Sequence, residues 1–154
     1  MDIVSASADR TAAIGKKLAG LLKPGDIVCL RGDLGTGKTV LSRGISQGLG
    51  VKGREVISPT FVLMRCHRGR MPMYHFDLYR INGPRDLLGL GCEEFFFSDG
   101  VCVIEWAERL GFLEPVEHLR VELSHKDDGR RGLRFTARGG RYRGLLKDLA
   151  KKVK

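Results

Sequence analysis

The sequence predicts an α/β fold, a three-layer sandwich around a mostly parallel, mixed central sheet, and three observations carry that reading. Two short apolar runs, Ile27–Leu30 and Val101–Ile104, suit strands buried on both faces. Amphipathic helical patterns alternate with these runs, first over Ala8–Leu22 and again from residue 38 onward. Between the first run and the second helical pattern stands Gly32-Asp33-Leu34-Gly35-Thr36-Gly37-Lys38-Thr39. It reads G-x-x-x-x-G-K-T, a phosphate-binding loop in its expected strand–loop–helix setting. Strands and helices alternating around such a loop place helical layers against a parallel sheet.

Taken in order, Met1–Ser5 reads as a first short strand. The helix over Ala8–Leu22 puts Ala12, Ile14, Leu18, Leu21 and Leu22 on one broad face, with Arg10, Lys16 and Lys17 outside it. Pro24-Gly25 ends it and turns the chain into the strand Ile27–Leu30. After the loop, Val40, Leu41, Ile45 and Leu49 recur at helical spacing and Gly50 is the stop. A polar connection, Gly50–Glu55, follows. Pro59 then forbids a continuous inner strand, so Ser58-Pro59-Thr60 is a loop. Phe61–Cys66 and Met73–Tyr79 read as an antiparallel hairpin around the basic turn His67–Pro72, which makes the sheet mixed. Pro84–Leu90 reads as a short helix and Glu93–Phe97 as one further helical turn. Phe95, Phe96 and Phe97 cannot all face one core, so one of them meets a partner or packs on a neighbouring loop or sheet edge. His118–Leu123 and Leu133–Arg138 are late strands around the polar turn His125–Gly132. Arg141–Val153 closes as a basic helix with Leu145, Leu146 and Leu149 as its apolar stripe.

The loop specifies a P-loop NTPase-like sandwich and a chemistry. Gly32, Gly35 and Gly37 let the backbone curl so that consecutive amides point at a phosphate. Lys38 reaches the terminal phosphates, and the Thr39 hydroxyl is placed to hold Mg²⁺. A helix starting near Gly37 adds its positive end. A nucleotidase also needs acids opposite the loop. Glu105 ends the run Val101–Ile104, the strand-then-acid pattern that holds Mg²⁺ directly or through water. Asp77 follows Tyr74-His75-Phe76 at the end of another strand, where an acid faces the ligand crevice of an open α/β sheet. Thr60 lies in a loop that could reach the terminal phosphate as a switch loop does, or is an ordinary turn residue. Trp106, the single Trp, suits stacking on a base or a partner and equally a place in the core. The guanine-reading N-K-x-D motif is absent, which leaves ATP as the nucleotide.

At 154 residues, 42% hydrophobic and 29% charged, the chain has the composition of one soluble domain spanning 1–154. No apolar run is long enough to span a membrane, and the start lacks the basic and apolar regions of a signal peptide, which predicts a cytoplasmic protein without membrane partners. Cys29, Cys66, Cys92 and Cys102 form no C-x-x-C pair and read as core thiols. The net charge of +9 is unevenly placed: residues 125–154 carry 11 basic and 3 acidic side chains, the rest nearly balance. That basic C-terminal segment, 125–154, suits a polyanion such as RNA, or is simply a solvated end.

Four motifs in register, Gly32 to Thr39, Ser58-Pro59-Thr60-Phe61, His75-Phe76-Asp77-Leu78-Tyr79-Arg80 and Val103-Ile104-Glu105-Trp106-Ala107-Glu108-Arg109, together resemble the TsaE family. Those are bacterial ATPases of tRNA threonylcarbamoyladenosine biosynthesis. The resemblance runs from about residue 5 to residue 124. It implies an ATP- and Mg²⁺-dependent subunit that supports threonylcarbamoylation of the adenosine next to the anticodon. The partners it implies are TsaD and TsaB, with hydrolysis active mainly in their complex. Carried onto this chain, it implies that Gly32, Asp33, Leu34, Gly35, Thr36, Gly37 and Lys38 hold phosphates. Thr39 and Glu105 would hold Mg²⁺, and Asp77 would activate water. Thr60 and Trp106 would flank the nucleotide, as would Thr11 through an N-terminal Thr match. Many members have Ala at the position of Thr36 and Thr at that of Val40. The Thr36 change should be harmless; Val40 lacks a hydroxyl that could contact the α-phosphate, which implies a weaker or rearranged nucleotide contact there. Two alternatives stay open: a nucleotide-gated RNA-binding or scaffold protein with incidental hydrolysis, and a small-molecule kinase.

Overall fold

The computed structural model describes residues 1–52 and 63–154. Along the chain come β1 (Asp2–Ser5), α1 (Ala8–Ala19), β2 (Ile27–Arg31), α2 (Lys38–Gly48), β3 (Met64–Arg68), β4 (Pro72–Asp77), β5 (Val101–Glu105), β6 (His118–His125), β7 (Arg131–Arg138) and α3 (Gly140–Val153). Short 3-10 turns occupy Pro84–Leu87, Cys92–Phe95 and Ala107–Leu113. The strands form one sheet in the order β1-β7-β6-β2-β5-β4-β3. β6, β2, β5 and β4 are parallel to one another, and β3, β7 and β1 join the flanks through antiparallel pairings. The sheet is the expected one: parallel at its centre, mixed overall, with the β3–β4 hairpin on one flank.

Alternation along the strands divides the core in two. Val28 and Leu30 of β2, Val101 and Val103 of β5, and Leu119 and Val121 of β6 face one side. There they meet Leu18, Leu41, Ile45 and Leu149 from the three helices. Ile27, Cys29, Cys102 and Ile104 face the other side and meet Leu87, Cys92 and Leu110. Among the described residues, the three α-helices therefore cover a single face, and the other face is covered by 3-10 turns. The helix expected over Pro84–Leu90 stops at Leu87, because Gly89 and Gly91 take left-handed backbone (φ 81° and 69°) that an α-helix cannot hold.

Local chemistry sets the element ends. Ser7 caps α1 by accepting the Arg10 amide at 3.1 Å. The helix ends at Ala19 and not at Leu22, although Leu22 remains buried in the turn that follows. α1 and α2 pack closely because small residues line their contact: a Cβ on Gly44 would lie 2.1 Å from the Ala12 carbonyl oxygen, and one on Gly15 2.5 Å from that of Leu41. The hairpin turn is tighter than expected, since β3 continues to Arg68 and buries His67 opposite Met73. Of the three successive phenylalanines, Phe95 and Phe96 pack on the second core and Phe97 is 63% exposed on left-handed backbone (φ 57°). Cys66 departs from the expectation of a core thiol. It is exposed on the edge strand β3, whereas Cys29, Cys92 and Cys102 are buried.

The basic C-terminal segment is tied into the fold. Tyr142 and Leu149 of α3 are buried, the Tyr142 hydroxyl accepts the Ile27 amide at 2.8 Å, and Arg141 pairs with Asp26 at 2.6 Å. Burial pushes the Tyr142 phenol up to about 12. Among the described residues no helix is long and apolar enough to cross a membrane.

Candidate active site

The site forms at the carboxyl ends of β2, β4 and β5, on the helical face. β2 runs into the loop, and Gly32 must be glycine on two counts. Its φ is 139°, and a Cβ would lie 2.3 Å from the Leu123 carbonyl oxygen. Gly37, at φ 106°, precedes Lys38 and begins α2, whose Leu41 amide bonds the Gly37 carbonyl at 2.9 Å. The loop amides and the helix N-terminus thus share one concavity, the arrangement that binds phosphate. Thr36 does more than supply backbone. Its side chain is buried and its hydroxyl donates to the Asp33 carbonyl at 2.8 Å, closing the loop from within.

Lys38 lies back across its own loop. Its Nζ donates to the carbonyls of Gly32 (2.5 Å) and Asp33 (2.8 Å) and stands 4.1 Å from the centre of the Trp106 ring. Burial lowers the pKa of this ammonium, while Glu105 and other nearby acids oppose the shift. Trp106 has left-handed backbone (φ 57°, ψ 41°), which for a bulky residue is a strained turn. That turn puts its ring against Lys38 and against Tyr79, whose ring centre is 5.0 Å away. The indole is a wall of the site.

Opposite the loop, parallel register assembles the acids. Asp77 pairs with Glu105 and His75 with Val103. Period two along β4 and β5 sends His75, Asp77 and Glu105 to the face that carries α2. Glu105 is buried and bridges two elements: Oε2 accepts the Thr39 hydroxyl at 3.0 Å, and Oε1 accepts His75 Nε2 at 2.7 Å. A carboxylate can only accept here, so His75 carries its proton on Nε2. Asp77 is buried beside Glu105, and its Oδ1 accepts the Tyr79 amide at 3.0 Å. Lys38, Thr39, Val40, Asp77, Glu105 and Trp106 all line one cavity of about 280 Å³ at the mouth of the loop, with Leu34, Gly35 and Gly37 on its rim.

Thr11 sits on the other side of the loop. Its hydroxyl donates to Ser5 Oγ at 2.8 Å, with the Ser7 carbonyl 3.2 Å away as the alternative acceptor. It lines a second cavity of about 140 Å³, which shares Gly35, Gly37 and Val40 with the first and is bounded by Arg131. Thr60 lies outside the described residues.

The profile described as "Threonylcarbamoyl adenosine biosynthesis protein TsaE" matches residues 5–133. The chain belongs to the TsaE family. The TsaE protein of Bacillus subtilis is 40% identical over 144 residues, which is 93% of this chain and 89% of that protein. That of Treponema pallidum is 40% identical over 131 residues, 85% of this chain and 96% of the relative. The crystal structure of YdiB from Bacillus subtilis covers 100% of this chain and 96% of its own, at 35% identity and a TM-score of 0.87.

Within this TsaE-family site, motif reading passed over His75. It is wholly buried and holds Glu105 in place. A histidine two positions before the strand-end acid was the available signal, because period two puts both on one face. Another grouping was invisible in the sequence. Cys29, Glu114 and His118 come within 4.8 Å of one another through their ligand atoms, on the opposite face of the sheet. Glu114 is already engaged by Arg31 through Oε1 and by Arg120 through Oε2, and burial raises the Cys29 thiol. With two guanidiniums on its only carboxylate, the cluster is a half-buried ion-pair network, not a metal centre.

Proposed function

We propose that this chain is the ATP-hydrolysing subunit of tRNA threonylcarbamoyladenosine biosynthesis, acting in the cytoplasm on behalf of TsaD and TsaB. The observation that carries the proposal is the Thr39–Glu105 hydrogen bond with Asp77 one strand away, all facing the P-loop concavity.

The residues fit a nucleotide–Mg²⁺ complex. Thr39 and Glu105 offer hard oxygen donors from two elements held in register, the set that suits Mg²⁺. The metal, when bound, would neutralise charge on the β- and γ-phosphates. The loop amides hold the phosphate oxygens. Lys38 exchanges the carbonyls of Gly32 and Asp33 for phosphate oxygens, retaining its charge-assisted bonds. His75 fixes Glu105, so that the oxygen facing Thr39 cannot turn away. Asp77 positions the attacking water and takes its proton. As the water oxygen bonds to the γ-phosphorus, the bridging P–O bond breaks and ADP leaves with the electron pair. Trp106 and Tyr79 wall the cavity against bulk water.

The test is ATP hydrolysis by the full chain, alone and with TsaD, TsaB and tRNA. The expected outcome is slow turnover alone, marked stimulation in the complex, and loss of both in Lys38→Ala. Unstimulated turnover, or a Lys38→Ala chain that still responds to partners, would overturn the assignment.

A further inference from the structure

The helical layer carries a feature that the nucleotide site does not use. α3 exposes Arg143, Lys147 and Lys151, which recur every fourth residue along one side of the helix, about 6 Å apart per step. α1 exposes Arg10, Lys16 and Lys17. The two helices are joined on this surface, since Lys17 Nζ donates to the Lys152 carbonyl at 2.7 Å. The acids exposed on α1, α2 and α3 are Asp9 and Asp148, and Asp148 is already paired with Lys151 at 2.9 Å. Basic charge that looks in the sequence like a C-terminal property is, in the fold, carried on into the N-terminal helix where Lys17 meets Lys152, and Lys16 extends it toward α2 beside Arg43.

We propose that this outer face of α1 and α3 binds RNA through its phosphate backbone. The inference rests on tRNA being the substrate of the complex to which the chain belongs. Two observations favour RNA over a membrane surface or a protein partner. The apolar stripes of α1 and α3 are spent in the core through Leu18, Tyr142, Leu145 and Leu149, so neither helix has an apolar face to lay into a membrane. The large exposed apolar side chains, such as Leu88, Leu90, Phe97 and Phe112, lie outside all three helices. The face therefore also lacks the buried aromatic and aliphatic anchors around which protein interfaces are built. Long, separate cations without apolar anchors suit a phosphate backbone, where counterion release supplies the affinity.

Removing α3 would take Tyr142 and Leu149 out of the core, so the test uses exposed point variants of the full chain. Fluorescence-anisotropy titrations of tRNA over a salt series would compare the wild type with Lys147→Gln/Lys151→Gln on α3, Lys16→Gln/Lys17→Gln on α1, and all four together. Each pair should flatten the plot of log affinity against log salt by roughly 1–2, at about 0.7–0.9 per lost phosphate contact. The fourfold variant should bind at least tenfold more weakly at low salt. An unchanged slope in the fourfold variant, or an effect confined to the α3 pair, overturns the shared face. So does wild-type binding to phosphatidylserine vesicles in preference to tRNA. Fluorescent ATP binding and partner-stimulated hydrolysis are read on the same variants. If the RNA face is wrong, tRNA binding is indifferent to these charges while stimulated hydrolysis stands. If the ATPase reading is wrong, stimulated hydrolysis is absent in the wild type, whatever the tRNA titration gives.

Discussion

At the scale of single residues, the site depends on a chain of three side chains from three elements: His75 on β4, Glu105 on β5 and Thr39 on α2. Glu105 is 2% exposed, and its two oxygens are divided between these donors. His75→Ala would leave a buried carboxylate with one partner. A hydrogen bond to a charged group contributes about 1.5–3 kcal/mol, so the unfolding free energy should fall by that amount, read as a lower urea midpoint with an unchanged slope. His75→Gln can still donate to Glu105 and should recover part of the loss. An Ala variant as stable as the wild type would show that the bond to Glu105 contributes nothing. The loop, Lys38, Thr39 and Glu105 were legible because each is set by local pattern. His75 was not, because its role exists only once β4 and β5 lie in parallel register.

Elements carry two further predictions. Gly44→Ala would be stabilising on helix propensity alone, by up to about 1 kcal/mol. The close approach of α1 decides against it, since the added methyl would meet the Ala12 backbone. The expected outcome is a loss of about 1–3 kcal/mol from overpacking, seen as a lower unfolding midpoint; a gain would mean that α1 can shift away. His118, at the start of β6, has its pKa lowered from 6.5 by burial, which outweighs the opposing pull of the Pro115 carbonyl 2.7 Å from its Nδ1. Below about pH 6.5 the unfolded chain binds a proton that the folded chain resists. Stability should therefore fall as pH drops from 6.5 to the lowered folded value, and be level with respect to this group above it. His118→Asn should remove that slope in urea titrations over pH 4–8; an identical slope would assign it to other groups. Elements with strong local signals, β2, β5 and α2, were legible almost to the residue. Pro84–Leu90 was not, because left-handed glycines limit it to a 3-10 turn.

For the whole molecule, the sequence predicted a mixed, parallel-centred sheet but not its order. The pairing of β1 with β7 joins the two ends of the chain, and no local pattern encodes it. Nor could composition say that all three helices share one face, which is what turns scattered cations of α1 and α3 into one surface. Hydrolysis depends on the carboxyl ends of β4 and β5 once the loop holds a nucleotide. The most direct measurement is single-turnover ATP hydrolysis by an Asp77→Asn chain in the TsaD–TsaB complex, with fluorescent-nucleotide affinity measured beside it. Loss of a general base costs roughly 10²–10⁴ in rate. The expected result is a rate reduced at least about a hundredfold with affinity changed by less than about threefold. A variant that binds ATP normally and hydrolyses it at the wild-type rate would contradict it.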